Sequence, residues 1–138
     1  MDDLLRMAEV FASEKHKGQV DRAGKEYILH PKAVADSVEG VREKIVAWLH
    51  DTVEDGGATV SEIREIFGDD VADAVSCLTH DLRVPYMEYI RGIKKNELAR
   101  VVKLADLKHN MDLSRLDRVS DEDLKRVEKY KRAYEFLK

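Results

Sequence analysis

Four side chains able to bind a metal, His30, the adjacent pair His50 and Asp51, and Asp106, are spread through a chain that otherwise reads as helical, and the acids Glu54 and Asp55 follow the central pair. Imidazole and carboxylate donors together suit a divalent first-row ion such as Mn²⁺, Fe²⁺ or Zn²⁺ and leave positions for water and phosphate oxygens. That donor set belongs to hydrolysis. The ion lowers the pKa of a bound water and polarises a phosphoryl group, while Glu54 or Asp55 orients the water or carries its proton. A single His or Asp is more often a cap or a solvated residue than a ligand. The weight therefore comes from the whole set, each member at an element boundary or on an apolar helix.

The elements that must position these groups can be read from spacing. A helical segment from Val46 to Glu54 would set His50 beside Glu54 and Asp51 beside Asp55, one turn apart. Pro31 suits the first position of a helix, which puts the His30 imidazole at that helix's mouth. Asp106 lies in the apolar run Val101, Val102, Leu104, Ala105 and Leu107, where an unpaired carboxylate is costly to bury and a metal is one way to offset the cost.

Along the rest of the chain, a helix from about Asp3 to Lys17 carries Leu4, Met7, Ala8, Phe11 and Ala12 on one face, and Gly18 ends it. Residues 18 to 29 have turn formers and no sustained period, so a loop leads into His30. A loop of that length beside a ligand is expected to be functional. Helices from Pro31 to Val38 and from Val41 to Val53 break near Gly40, with Trp48 and Leu49 in the core. Thr59 and Glu62 form a capping box for a short helix to Phe67, and Gly68 stops it. A helix behind Asp69 and Asp70 ends near His80, Pro85 opens another, and the run bearing Asp106 follows Asn96. Ser120 caps a last helix whose stripe is Leu124, Val127, Tyr130, Lys131, Tyr134 and Leu137, expected to close the core. No alternating strand is evident, and the expected fold is all-α.

The 138 residues, 43% hydrophobic and 38% charged, support one compact domain over residues 1–138. A net charge of −4 with no basic stripe argues against a nucleic-acid partner. The lone cysteine, Cys77, has no internal partner, the start MDDLLRMAEV lacks a secretory layout, and no apolar stretch approaches the ~20 residues that span a bilayer, so a cytoplasmic location and no membrane partner are expected.

The stretches HKGQVDRAGKEYILHPKAVA, VAWLHDTVEDGGATVSEIREIFGDDVADAVSCLT and RVVKLADLKHNMDLSRL together resemble the hydrolase domain of the Rel/SpoT alarmone family, especially its single-domain forms, over roughly residues 8 to 116. Gly18 with Gln19, Gly24, Tyr27 with Ile28, His30 with Pro31, the block Leu49 to Asp55, and Lys103 to Asp106 with His109 and Asn110 all keep register. The resemblance implies a compact HD-domain helical bundle. It makes His30, His50, Asp51 and Asp106 the ligands of one divalent ion, usually Mn²⁺ in that family, and matches Glu54 and Asp55 to the acidic pair beside the attacked phosphate. The implied activity is removal of the 3′-pyrophosphate from guanosine tetra- or pentaphosphate, with a phosphorylated nucleotide as partner. Arg22 matches a cation that packs on the purine or meets its phosphates, and Asn110 a nucleotide contact. Lys103 is expected to pair with Asp106 or with a substrate phosphate. His109 is expected against the core or on a carbonyl, and His16 and His80 carry no expected role.

Three departures bear on substrate. Asp21 precedes Arg22 where long family members have two basic residues, Leu107 and Lys108 replace an Arg-Leu order, and Asp112 stands where an arginine is common. Each removes or moves a cation near a highly charged substrate, which predicts weaker tetraphosphate binding or a different nucleotide. The chain also stops soon after the metal motifs, leaving no room for a synthetase domain, so hydrolysis without synthesis is expected. Two other readings are a hydrolase of the same superfamily acting on other nucleotides such as 5′-monophosphates, and a non-catalytic alarmone-binding sensor. Retention of every ligand and both acids weighs against the sensor. The oligomeric state is not legible.

Overall fold

In the computed structural model, which describes residues 2–114 and 116–138, the chain forms eight helices in the order α1 Asp2–Lys15, α2 Leu29–Ser37, α3 Val41–Leu49, α4 Val60–Phe67, α5 Asp69–Cys77, α6 Tyr86–Lys94, α7 Glu97–Asn110 and α8 Asp121–Leu137. Pairing among the described residues is limited to one bridge between Val20 and Glu26, so the all-α expectation holds. No helix is long and apolar enough to cross a membrane among those residues.

The centre of the bundle is α3. Ile45 to Leu49 are all buried, which a helix tolerates only when neighbours cover every side. It packs against α1, α2, α5 and α7. On α2 the buried side chains are His30, Pro31, Val34 and Ala35, and on α7 they are Ala99, Val102, Asp106 and Leu107. His30 and Val34 are four apart, and Ala99, Val102 and Asp106 follow the i, i+3, i+7 rhythm. Two of the candidate ligands thus sit on stripes where the period calls for an aliphatic residue.

Several boundaries differ from the sequence expectation, among them the end of α5, which stops at Cys77 rather than near His80, and three that flank the site. Helix α2 starts at Leu29, so Pro31 is the third helical residue rather than the first. Its missing N–H is harmless there too, because the first four donors of a helix have no internal partner. Helix α1 stops at Lys15, two residues early. Helix α3 ends at Leu49 instead of Val53, and residues 50–56 form consecutive turns. The Thr52 hydroxyl donates to the Leu49 carbonyl and the His50 ring bonds the Ala47 carbonyl, so side chains claim acceptors at the helix end. The expected neighbours His50 with Glu54 and Asp51 with Asp55 on one regular helix are therefore not formed as such.

The caps at Thr59 and Ser120 came through as read, and Asn96 adds one that was not anticipated. Thr59 and Glu62 exchange both bonds of a capping box, Asn96 accepts from the Ala99 N–H, and Ser120 pairs reciprocally with Asp123. On α8, Ala133 and Leu137 are buried and Tyr130 and Tyr134 are half-buried, so the helix does close the core, but Leu124 is exposed and Asp123 points inward in its place. Gly56 allows the acidic turn to lie against the end of α1, because a Cβ there would come within 2.8 Å of the Thr52 carbonyl and 3.0 Å of the Lys15 side chain.

Removing an exposed cap and truncating the central helix separate local from global stability. Thr59→Ala should cost about 1 kcal/mol, whereas Leu49→Ala should cost roughly 2–5 kcal/mol through the cavity it leaves. Urea unfolding of both variants checks the order.

Candidate active site

The first turn of α2, the end of α3 and the middle of α7 converge on one point. Ligand atoms of His30, His50, Asp51 and Asp106 all lie within 4.8 Å of one another. His30 Nε2 is 2.7 Å and His50 Nε2 3.2 Å from Asp106 Oδ1. Asp51 Oδ2 lies 3.1 Å from His50 Nε2 and 3.8 Å from His30 Nε2. The structure therefore brings together the four residues that the sequence singled out.

Each of the four is aimed by a further partner. His50 Nδ1 donates to the Ala47 carbonyl at 2.6 Å, which fixes its hydrogen there and turns Nε2 inward. His30 Nδ1 meets His109 Nδ1 at 2.6 Å, with the rings stacked at 4.8 Å. His109 was expected on the core or a carbonyl, and it instead buttresses a candidate ligand from one turn of α7. Asp106 Oδ2 accepts from Lys103 Nζ at 2.9 Å, and Oδ1 accepts from the Asn110 amide at 3.2 Å. Tyr27 donates its hydroxyl to Asp51 Oδ2 at 2.5 Å.

Electrostatics follow from this packing. Burial opposes ionisation of Asp106, only 3% exposed, but the Lys103 ammonium and then the His50 imidazole hold it well below the usual carboxylate range. Burial also opposes the charged form of Asp51, and His50 outweighs it, holding that carboxyl at about 2. Burial works against a charged His50 as well, yet Asp51 and Asp106 raise its pKa well above the ordinary value. Two ionised carboxylates so close require positive charge between them. The donor chemistry, two imidazole nitrogens and two carboxylate oxygens with partners that orient them, fits a divalent first-row ion.

Glu54 and Asp55 lie at the rim of the same cluster, on the turn that follows α3. With Asp51 they form a second acidic group whose oxygens fall within the same 4.8 Å span. Glu54 Oε1 accepts from the His80 backbone N–H at 2.9 Å, a role for the α5–α6 loop that nothing in the sequence announced. Burial and the nearby Asp51 charge push Glu54 above the usual carboxylate pKa, and the same two causes raise Asp55. The Asp55 carbonyl is held by the Gln19 amide at 2.8 Å, and Gln19 Oε1 bonds the buried His16 at 2.9 Å. His16, to which the sequence gave no role, thus anchors the loop to the acidic turn.

A cavity of about 370 Å³ opens beside the cluster, with Tyr27, His30 and Asn110 on its wall and Arg22, Arg126 and Tyr130 around it. Arg22 is there, as expected, but its guanidinium is paired with the buried carboxylate of Asp123, and Arg126 lies 3.6 Å from the same group. Asp21 accepts the Ala23 and Lys25 N–H groups at 2.9 and 3.0 Å, so its negative charge closes its own turn. Lys103 is not on the cavity wall. It lies largely buried against Asp106 and 5.4 Å from the Tyr89 ring centre, the first of its two expected partners.

Residues 8–111 match the model of the HD domain family. The chain is 40% identical over 126 residues to a Xenopus tropicalis protein named guanosine-3′,5′-bis(diphosphate) 3′-pyrophosphohydrolase MESH1, covering 81% of this chain and 70% of that one. It is 29% identical over 143 residues to a GTP pyrophosphokinase of Myxococcus xanthus, covering 91% of this chain and 19% of that protein. The chain thus spans about a fifth of the length of such long relatives. A solved structure of a metazoan orthologue of SpoT that hydrolyzes ppGpp superposes with a TM-score of 0.78 at 23% identity, covering 97% of this chain and 84% of that one, and shares the fold.

The ligand reading and the rim reading part under substitution. Asp51→Ala should lose the bound divalent ion, whereas Glu54→Ala should keep it. Metal analysis of both purified variants beside the unaltered protein checks this, and equal metal in Asp51→Ala would contradict the ligand role.

Proposed function

The chain belongs to the HD-domain family, and from that footing we propose that it is a metal-dependent phosphohydrolase that removes the 3′-pyrophosphate from guanosine tetra- or pentaphosphate or a related alarmone nucleotide. The observation that carries this reading is the convergence of His30, His50, Asp51 and Asp106 with Glu54 and Asp55 at their rim and a nucleoside-sized cavity at their side. The likeness to a single-domain 3′-pyrophosphohydrolase over 70% of its length supports the substrate class. It weighs against 5′-monophosphates and against a sensor without activity.

His30, His50, Asp51 and Asp106 would hold one ion, with Mn²⁺ the first candidate. When bound, the ion supplies a Lewis-acid charge to the phosphoryl oxygen and lowers the pKa of a water. Glu54, with one oxygen fixed by the His80 N–H, has its raised pKa in the direction that a proton-carrying carboxylate needs, and takes the proton of the attacking water. Asp55 stands beside it as the second orienting acid. Water oxygen bonds to the phosphorus carried by O3′, the P–O3′ bond breaks, and O3′ leaves as a hydroxyl with the proton that Glu54 took from the water. The products are pyrophosphate and a nucleoside 5′-diphosphate. Arg22 and Asn110 hold the nucleotide in the cavity. With its edge on Asp123, the Arg22 guanidinium keeps a planar face for the base. Lys103 acts on substrate only through Asp106. A cytoplasmic location and a part in a stringent-type nucleotide response belong to the same proposal.

Incubation with guanosine tetraphosphate and its adenine counterpart, with and without Mn²⁺, tests the reaction. Pyrophosphate and a nucleoside diphosphate should appear only with the ion. Glu54→Ala should slow turnover about 10²–10⁴-fold. Arg22→Ala should raise KM up to roughly 30-fold at unchanged metal content, about the worth of a desolvated cation–π contact. Release of orthophosphate from 5′-monophosphates in place of pyrophosphate would overturn the substrate.

A further inference from the structure

Tyr27 belongs to two structures at once. Its ring, half-buried, is part of the cavity wall beside His30 and Asn110, while its hydroxyl donates to Asp51 Oδ2 at 2.5 Å. That same oxygen faces His50 Nε2 at 3.1 Å and His30 Nε2 at 3.8 Å. A carboxylate oxygen has two lone pairs, so one can be fixed by the phenol while the other stays directed at the imidazoles.

The position of the phenol is itself over-determined. The Tyr27 N–H donates to the Gln19 carbonyl at 2.9 Å, and the Tyr27 carbonyl accepts from the His30 N–H at 2.9 Å, so the residue links the loop bridge to the first turn of α2. Its ring sits 4.9 Å from the His16 ring and 6.0 Å from the His30 ring. His16, 2% exposed, is tied through Gln19 to the Asp55 carbonyl on the turn that follows Asp51. Loop, acidic turn and α2 therefore meet at one aromatic ring.

We propose that Tyr27 is a positioning residue for Asp51: its hydroxyl fixes the rotamer of that carboxylate for metal binding, while its ring separately forms the wall against which the nucleotide rests. The inference rests on the metal-site reading above and concerns a residue outside the ligand set and the acidic pair. Asp51 is the ligand that most needs such support, because it lies in turns past the end of α3, whereas Asp106 is carried inside a helix.

Tyr27→Phe keeps the ring and removes only the hydroxyl. Calorimetric titration of metal-stripped protein with Mn²⁺ should show affinity about 10-fold weaker, at the lower end for loss of a partner that orients a ligand. Binding of GDP should stay within about twofold, and with saturating nucleotide kcat should fall while KM holds. Tyr27→Leu, which also removes the wall, should weaken both Mn²⁺ and GDP. Circular dichroism of the metal-free variants establishes that they are folded before titration. Mn²⁺ affinity in folded Tyr27→Phe equal to that of the unaltered protein would overturn the proposal, as would unaltered protein that takes up no ion. Protein that binds Mn²⁺ in a Tyr27-dependent way yet releases no pyrophosphate would remove the proposed substrate and leave this role intact.

Discussion

Two carboxylates placed in the interior of a helical bundle set the terms for everything around them. Asp106 lies on the buried stripe of α7 and Asp51 just past the end of α3, with oxygens facing the same pair of imidazoles. Burying an unpaired carboxylate costs several kcal/mol. The structure answers with Lys103 from α7, His30 from α2, His50 from the α3 terminus and the Tyr27 phenol from the loop. Helices α2, α3 and α7 pack against one another around this group. The charge requirement and the packing of the bundle therefore select the same arrangement.

The second ring of residues makes the site directional. His50 Nδ1 is spent on the Ala47 carbonyl and His30 Nδ1 on His109, which leaves both Nε2 atoms turned inward. Glu54 is held by the His80 N–H, and the cavity is bordered by Tyr27 and Asn110. The Arg22–Asp123 pair borders the same cavity, so a cation and the proposed metal site share one opening.

Much of this was legible in the chain itself. The residues that converge at His30, His50, Asp51 and Asp106, the acids at their rim, Arg22 beside the cavity, the caps at Thr59 and Ser120, and the all-α class follow from spacing, capping chemistry and the resemblance to Rel/SpoT hydrolases. What spacing missed has a common physical cause. Periodicity reports which face a residue occupies but not where a helix stops, and α3 stopped at Leu49 because the His50 and Thr52 side chains take backbone acceptors at its end. Likewise Tyr27, His16, Gln19 and Asp123 act through contacts between segments distant in sequence. Asp123 in particular was hidden by its role as a cap, since its second oxygen turns to Arg22 from another part of the chain. The charge reversal at Asp21 lies on the cavity wall, as its place beside Arg22 suggested, and the carboxylate also closes its own turn, which spacing alone did not show.

The central claim is that one divalent ion sits among His30, His50, Asp51 and Asp106. Anomalous diffraction at the manganese edge from crystals grown with Mn²⁺ tests it directly. The account predicts a single peak with imidazole Nε2 atoms of His30 and His50 and carboxylate oxygens of Asp51 and Asp106 in coordination range, with Glu54 and Asp55 outside it. A peak held by Asp51, Glu54 and Asp55, or none near the four residues, would contradict it.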